Sequence, residues 1–323
     1  MAKPKLAIYW AASCGGCDVA ILDIEDKILA VADFFDLVFW PCAMDFKYED
    51  VEKMEDKSIT LTLFNGAIRT EENYHLAKLL RQKSVVLCAF GSCAAEGGIP
   101  GLANFTTKEE IMKYAYVTSP STDNPDKIYP QTTVKMPEGE IHIPELWNTV
   151  RSLPQVVDVD YIIPGCPPQS NQIAAVVEAV IDILKNGKPL PPKGTVLGAT
   201  ESTCCDECTR KRDIKKITKF VRPFEIIPDP DICLLEQGIV CVGSATKAGC
   251  GAKCPAANVP CRGCYGMPVH VRDQGAKMVS ALASVVDTRD PEEAERIMAT
   301  IPDPLGTFYR FTLADSLIGR SQK

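Results

Sequence analysis

The chain has 323 residues, of which 46% are hydrophobic, with a mean hydropathy of −0.01 and a formal net charge of −7. These values are typical of a globular protein long enough for two domains, and no apolar run is long enough to cross a membrane. The negative charge argues against nucleic acid as the main partner. The N-terminal segment MAKPKLAIYW enters a predicted strand without a signal peptide's apolar core. We therefore expect a cytoplasmic protein with no membrane insertion.

Predicted strands and helices alternate in the first half of the chain. Hydrophobic patterns predict strands at 5–12, 37–40, 59–64, 84–90 and 160–163, and helices at 19–34, 71–82 and 171–184, the last capped by Ser170. Such alternation predicts an α/β fold with a doubly wound parallel sheet and right-handed crossovers. Residues 100–153 interrupt the pattern and contain a predicted hairpin around Pro137-Glu138-Gly139. Two interpretations of this insertion are equally good: a surface that contacts a partner, or a surface insertion with no binding role.

Four cysteines follow the predicted strand ends in glycine-rich turns. Cys14 and Cys17 lie in SCGGC, Cys93 lies in GSCAAEGG, and Cys166 lies in PGCPP. Ligand sites of parallel sheets lie beyond the carboxyl ends of the strands, so these thiols should converge on one rim. Glycine there lets the backbone approach a bound cluster. Two further cysteines are left out of the predicted four-cysteine site: Cys42, which lacks flanking glycines, and Cys88, which lies inside a strand and should be core.

The segment 204–264 holds nine of the fifteen cysteines and has little helical or alternating period. In a reducing compartment these thiols indicate ligands, not disulfides, and metal or iron–sulfur ligation would hold the segment together. Spacing divides eight of them into two sites, with Cys205 chosen over its neighbour Cys204 because two intervening residues suit chelation by one turn. The two sites are Cys205, Cys208, Cys233 and Cys241, and Cys250, Cys254, Cys261 and Cys264.

Two further features of the second half concern its boundary and its surface. The proline-rich stretch 186–194 predicts an extended linker between a domain at 1–185 and a domain at 195–323. Residues 209–222 contain seven basic residues and one acidic residue. This stretch, including 210–222, is interpreted either as a solvated helix face or as a docking patch for an acidic electron-transfer partner. Helices are also predicted at 290–301 and 308–318.

Together, the SCGGC, GSCAAEGG and PGCPP segments and the nine-cysteine region resemble the small subunit of nickel–iron hydrogenases. The likeness covers nearly the whole chain, and it implies a flavodoxin-like first domain and a loop-rich second domain around iron–sulfur clusters. Within this family the chain is most similar to the gamma subunit of cytoplasmic methanogen hydrogenases that do not reduce deazaflavin. Those enzymes pass electrons through a small iron–sulfur subunit to heterodisulfide reductase.

The resemblance implies three 4Fe-4S clusters, each held by four thiolates. Cys254 stands near a position where relatives with a three-iron medial cluster have proline, and Cys205 where many relatives have histidine. Ser13 replaces the glutamate that many relatives carry, which removes support for a proton-relay role of this turn. The implied ligands are a proximal set of Cys14, Cys17, Cys93 and Cys166, a medial set of Cys250, Cys254, Cys261 and Cys264, and a distal set of Cys205, Cys208, Cys233 and Cys241.

The resemblance also assigns the catalytic nickel–iron centre to a separate large subunit. This chain has no spare cysteine pairs for such a centre, since Cys42, Cys88 and Cys204 are scattered. We therefore expect no catalytic residue here and a role in electron relay. Three alternatives stay open: the small subunit of a deazaflavin-reducing hydrogenase, a quinone-reductase module with fewer clusters, and a non-catalytic structural zinc protein.

Overall fold

A parallel sheet organises the first half of the chain in the computed structural model, which describes residues 3–213 and 216–319. The strands, in chain order, are β1 (Lys5–Trp10), β2 (Asp36–Phe39), β3 (Ile59–Asn65), β4 (Ile68–Thr70), β5 (Ser84–Phe90), β6 (Thr133–Met136), β7 (Gly139–His142), β8 (Leu146–Arg151) and β9 (Tyr161–Ile163). The main sheet has five parallel strands in the order β2-β1-β3-β5-β9. Counted within the sheet this is the flavodoxin-like order 2-1-3-4-5, which confirms the predicted fold class.

Helices flank this sheet and continue into the second half. The α-helices are α1 (Gly16–Leu22), α2 (Lys27–Phe34), α3 (Tyr48–Glu52), α4 (Glu71–Lys83), α5 (Ser92–Glu96), α6 (Lys108–Lys113), α7 (Ser170–Asn186), α8 (Cys204–Glu207), α9 (Lys253–Ala256), α10 (Gln274–Ala283), α11 (Pro291–Met298) and α12 (Pro304–Phe308). A π-helical turn spans Tyr114–Thr118, and 3-10 turns span Ile99–Phe105, Leu153–Gln155, Leu235–Gln237, Val242–Ala245 and Leu313–Asp315. None of the described helices combines the length and hydropathy needed to cross a bilayer.

Both faces of the sheet are buried, as continuous apolar strands require. On β1, Leu6 and Ile8 face a core shared with α1, α2 and α7, whereas Ala7 and Tyr9 face the core under α4. The two-residue period of the strand sends alternate side chains to opposite layers. Cys88 on β5 is 2% exposed and belongs to the first of these cores, as expected of a small apolar side chain.

Several predicted helices differ from those observed. The single helix predicted at 19–34 is wrong, because α1 ends at Leu22 and α2 begins at Lys27. Between them the chain turns through Glu25, whose φ of 58° cannot continue a right-handed helix. The N-cap of α7 is Gln169, with no side-chain cap bond, so the predicted Ser170 cap is also wrong. The helix predicted at 308–318 is replaced by the end of α12 and a 3-10 turn, and α10 was not predicted.

The stretch 209–222 is not a helix in the part of it that the structure describes. Isolated parallel bridges join Lys211 to Ile232 and Val221 to Ile239. Ile214 and Lys215, which belong to the same predicted stretch, lie outside the described residues. The basic residues described in this stretch therefore lie on an irregular segment that tertiary contacts hold in place.

The proline-rich stretch at 186–194 packs along the edge of the sheet. Tyr161 donates its hydroxyl hydrogen to the Pro191 carbonyl at 2.7 Å, and the Gly194 N–H donates to the Asp160 carbonyl at 2.8 Å. The next residues form a parallel bridge between Val196 and Ile162 on β9. The second half thus begins as an added edge of the sheet, which ties its start to the first half.

Contacts between the halves are close and include backbone. The Gly98 N–H donates to the Phe311 carbonyl at 3.0 Å. A Cβ at Gly97 would lie 2.4 Å from the Ala314 Cβ, so only glycine fits there. Tyr265 donates its hydroxyl hydrogen to Gln172 on α7 at 2.6 Å. The cysteine-rich region is therefore seated against the carboxyl-end rim of the sheet.

Candidate metal centres

The proximal set gathers at the carboxyl ends of three strands. Cys14 and Cys17 follow β1, Cys93 lies on α5 after β5, and Cys166 follows β9. Two backbone bonds join the last two turns: the Gly91 N–H donates to the Ile163 carbonyl at 2.8 Å, and the Ser92 N–H donates to the Gly165 carbonyl at 2.7 Å. The parallel register thus brings together residues far apart in sequence, as the strand-end argument predicts.

The thiols of the proximal set interact electrostatically. Burial raises the pKa of Cys17 most, and the nearby Cys93 and Cys166 raise it further. Burial likewise raises the pKa of Cys93 to about 12, with further increases from Cys166 and Cys14. Neighbouring thiolates therefore oppose the ionisation of Cys17 and Cys93, both of which are buried. A positively charged metal core would remove this penalty, since thiols bind metals as thiolates.

Glycines shape the space around these sulfurs. A Cβ at Gly91, where φ is 84°, would lie 2.4 Å from the Cys17 Sγ. A Cβ at Gly98, where φ is 56°, would lie 2.6 Å from the Cys93 Sγ. Side chains at either position would fill the space beside the thiols. The donor set and this cradle fit a thiolate-bound cluster.

The distal set lines a small pocket that is partly open to solvent. Its wall contains all four predicted cysteines, together with Cys204 and Gly243. Burial raises the pKa of Cys205 to about 12, Cys233 adds to the increase, and Arg212 opposes it. A Cβ at Gly243 would lie 3.2 Å from the Cys205 Sγ, so glycine again keeps the backbone close to the sulfurs.

The medial set includes an additional thiol. Cys204 is 1% exposed, and its hydrogen bonds to Cys250 and Cys261 raise its own pKa while lowering theirs. Cys204 therefore contacts two cysteines of the medial set, although it also lines the distal pocket together with its chain neighbour Cys205. Cys254, the fourth predicted medial ligand, is exposed, and its pKa is raised by burial of its sulfur and by Cys261 and Cys250.

The three sets are neighbours in space, with the medial set between the other two. The pKa of Cys264 is raised by burial, then by Cys261 and by Cys166 of the proximal set. Ser92 donates its hydroxyl hydrogen to the Cys264 carbonyl, which joins the same two sets. On the other side, the Cys261 N–H donates to the Cys241 Sγ of the distal set at 3.2 Å. The order is thus proximal, medial, distal.

Within residues 3–213 and 216–319, no three Cys, His, Asp or Glu side chains lie at the close spacing of ligands to a single metal ion.

Cys42, which is outside the predicted proximal set, contacts Asp18, with 3.3 Å between its Sγ and the Asp18 Oδ1. Asp18 is absent from the residues predicted from the sequence. The signal available was an acidic residue directly after a Cys-x-x-Cys pair, at the start of an otherwise apolar helix.

Comparisons with known proteins show the family to which the chain belongs. Residues 14–180 match the family model described as NADH ubiquinone oxidoreductase, 20 Kd subunit. The chain is 41% identical to the iron-sulfur subunit of the F420-non-reducing hydrogenase of Archaeoglobus profundus, over 98% of each protein. It is 37% identical to a subunit of the F420-non-reducing hydrogenase of Methanothermobacter marburgensis, over 98% of this chain and 96% of that one. It is 39% identical to a subunit of the vhu F420-non-reducing hydrogenase of Methanocaldococcus jannaschii, over 99% of this chain and 98% of that one.

The fold is also similar to that of a [NiFeSe]-hydrogenase chain from Dm. baculatum, with a TM-score of 0.52 and 19% identity over 88% of this chain and 99% of that one. This is a likeness of fold alone, whereas the curated relatives carry the sequence relationship. With a family model matching more than half of its length, and relatives at 37% identity or better along nearly all of it, the chain belongs to the family of iron-sulfur subunits of F420-non-reducing hydrogenases, which are oxidoreductases.

Proposed function

We propose that this chain is the electron-transfer small subunit of a nickel–iron hydrogenase and that its proximal, medial and distal sets each hold a 4Fe-4S cluster. The observation that carries the proposal is the order of the three sets. Cys166 acts electrostatically on Cys264, and the Cys261 N–H reaches the Cys241 Sγ at 3.2 Å. Three adjoining thiol sites form a continuous path from the rim of the sheet to the distal pocket.

Each 4Fe-4S cluster supplies a one-electron redox couple when it is bound. The chain's own contribution is to hold thiolates in place, exclude water and set the local charge. Burial dominates the raised pKa of Cys17 and Cys241, so both sulfurs lie in poorly hydrated surroundings. Such surroundings disfavour added negative charge and strengthen the influence of nearby charged groups.

The proximal rim is proposed to face the large subunit that carries the nickel–iron centre. Four exposed apolar side chains lie at the end of β1, on α1 and after β2, namely Trp10, Val19, Leu22 and Met44, which are 42%, 57%, 56% and 47% exposed. Trp10 packs against the turn holding the first two cysteines, because a Cβ at Gly15 would lie 3.0 Å from its ring. A group of exposed apolar residues is typical of an interaction site.

The distal pocket is proposed to meet a small, acidic iron–sulfur subunit that passes electrons on to heterodisulfide reductase. Lys211, Arg212 and Arg222 are exposed, and Arg212 lines the pocket. Phe224 and Ile227 follow Arg222 in the sequence and are 79% and 97% exposed. Basic residues around an apolar contact suit an acidic electron-transfer protein, because opposite charge speeds and orients docking.

Three further parts of the proposal concern the setting of the protein. We propose a cytoplasmic location and a role in methanogenesis, supported by methanogen relatives such as the Methanocaldococcus jannaschii protein. The relatives' description as F420-non-reducing disfavours the alternative of a deazaflavin-reducing enzyme. The division into domains at 1–185 and 195–323 stays a prediction, supported by the change at 186–194 from a layered sheet to loop-rich structure.

The decisive test is the iron, acid-labile sulfide and zinc content of the chain, purified without oxygen together with its partners. The iron must be assigned to this chain, either from the electron density of this subunit or by analysis after the subunits are separated. The proposal requires about twelve iron and twelve sulfide per chain. About eleven iron would indicate a three-iron medial site and remove Cys254 from its ligands. Zinc with little iron or sulfide would overturn the proposal and favour a structural zinc protein.

A further inference from the structure

A buried carboxylate lies directly behind the turn that carries the first two proximal cysteines. Asp18 follows Cys17 on α1 and is 7% exposed. The Trp40 indole N–H donates to its Oδ1 at 2.8 Å, and the Asn65 amide donates to its Oδ2. The Cys42 thiol lies 3.3 Å from Oδ1 and completes the set of donors.

These partners identify the charge state of Asp18. The indole N–H, the amide NH₂ and the S–H are all donors towards it, and an ionised carboxylate is the form that only accepts. The Cys42 thiol keeps its proton, since burial and then Asp18 raise its pKa to about 11. Among the residues that the structure describes, no Lys, Arg or His forms a salt bridge with Asp18. The negative charge is therefore hydrogen-bonded but not neutralised.

The same contacts hold the cysteine turn from both ends. Ser13 donates its hydroxyl hydrogen to the Asn65 Oδ1 at 2.7 Å, and the Gly15 N–H lies 3.4 Å from the Ser13 Oγ. Asn65 ends β3, so one amide side chain joins the residue before Cys14 to the residue after Cys17. Trp40, the residue after β2, also donates to Asp18 and so connects β2 to this turn. Ser13 thus contributes to closing the turn.

The negative charge of Asp18 lies next to Cys17, so it affects the redox state of a cluster that Cys17 binds. Asp18 is among the groups that oppose ionisation of Cys17. In poorly hydrated surroundings a nearby negative charge disfavours the reduced, more negative state of a bound cluster relative to the oxidised state. We propose that Asp18 is a positioning residue for the Cys14–Cys17 turn and that its buried charge lowers the reduction potential of the proximal cluster. The inference rests on the proposed function.

The test uses the assembled hydrogenase, purified without oxygen, in a redox titration followed by electron paramagnetic resonance. Asp18→Asn removes the charge and keeps the shape, so the proximal midpoint potential should rise while the iron content is unchanged. Asp23→Asn, an exposed change just past the end of α1, is the matched control and should shift nothing. Trp40→Phe removes a donor but keeps the charge, so it should not raise the midpoint.

A second variant covers the case in which Asp18→Asn loses the cluster. Cys42→Lys introduces a positive charge beside the Asp18 Oδ1 and leaves the contacts through Asn65 intact, so it should also raise the proximal midpoint. An unchanged midpoint in either variant with full iron would overturn the role of the charge. Wild-type protein without iron would instead contradict the proposed function itself, so the two failures are distinguishable.

Discussion

At the scale of single residues, glycine controls how closely the backbone approaches the cysteine sulfurs. Gly91 combines a φ of 84° with a position where an added Cβ would meet the Cys17 Sγ at 2.4 Å. Both constraints act at one residue, because L side chains disfavour this φ and the space is taken by sulfur. The local motif alone suggested only that the backbone must come close.

Gly91→Ala should therefore disrupt cluster binding by the proximal set more than cluster binding by the medial or distal set. We expect the loss of about four iron per chain, since one 4Fe-4S cluster would fail to form. Gly187→Ala is the matched control, because Gly187 also has a positive φ, of 61°, but a Cβ there meets nothing within 4 Å. Iron analysis of both variants in the assembled enzyme checks the prediction, and a full complement of iron in Gly91→Ala would contradict it.

Asp160, the residue before β9, shows how ion pairs can lower the pKa of a buried carboxylate. Burial alone would raise its pKa, but hydrogen bonds from Lys193 and Arg81 outweigh burial and hold the value at about 2, below the ordinary 3.8. Both ion pairs measure 2.6 Å, and the Leu87 N–H also donates to the Asp160 carboxylate at 2.9 Å. A depressed carboxylate pKa stabilises the folded state above the unfolded value, and the contribution is lost as the pH falls through the folded value.

Asp160→Asn should lower the free energy of unfolding at pH 7 by about 2 kcal/mol, since at that pH the whole linkage contribution is present. The expected result is faster amide hydrogen exchange at Leu87 and a lower unfolding temperature. Asp158→Asn, an exposed change two residues earlier, should leave both unchanged. Equal exchange at Leu87 in the two variants would show that the ion pairs contribute little.

At the scale of elements, one arginine organises the irregular segments around the distal and medial sets. Arg210 is 6% exposed and donates from its guanidinium to the Pro255 carbonyl at 2.8 and 3.0 Å. It also donates to the carbonyls of Asp229 and Ile232 at 2.8 and 2.9 Å. Pro255 follows a medial cysteine and Ile232 precedes a distal one. Arg210 is thus structural, and only its exposed neighbours remain available for the proposed docking patch.

Arg210→Lys should destabilise this region, because an ammonium group cannot reproduce the planar fork of N–H donors. Buried carbonyls left without donors cost about 1–3 kcal/mol each. We expect loss of iron from the distal set and a lower unfolding temperature. Arg212→Lys is the control, since Arg212 lines the same pocket but is exposed. Retention of all iron and unchanged stability in Arg210→Lys would contradict the structural role.

At the scale of the whole molecule, the proposed function makes the medial set indispensable, because of the arrangement of the three sets. The proximal set adjoins it through Cys264, and the distal set adjoins it through Cys261. In this arrangement, electrons that enter at the rim of the sheet meet the medial set before the distal pocket. The close contact of the two halves keeps these neighbours in register, through bonds such as that from Gly98 to Phe311.

Cys264→Ala should therefore separate the two ends of the relay. We expect about eight iron per chain in the assembled enzyme. Hydrogen should still reduce the proximal site, while the distal site and an external acceptor stay oxidised. Cys88→Ala, which changes a core thiol outside the three sets, should preserve transfer. Freeze-quenched electron paramagnetic resonance distinguishes the sites, and distal reduction at the wild-type rate in Cys264→Ala would rule out this order.

The sequence by itself determined the fold class of the first half and the grouping of the proximal cysteines. Continuous apolar strands such as 84–90 are found as predicted, because strand burial depends on local hydrophobicity and length. The grouping of Cys14, Cys17, Cys93 and Cys166 followed from a general property of parallel sheets. The break at Glu25 was missed, because an apolar period continues across a turn whose backbone conformation the pattern does not reveal.

Only the tertiary structure decided the features that depend on contacts between distant segments. It placed Cys204 against Cys250 and Cys261 of the medial set and Cys205 beside Cys233 and Cys208 of the distal set, although both cysteines line the distal pocket. It also buried Asp18 and Arg210, two charged residues that a sequence pattern assigns to the surface. Charged groups become buried only where donors or acceptors from other segments compensate for lost water. Those partners are brought together by the fold, so no local signal in the sequence identifies them.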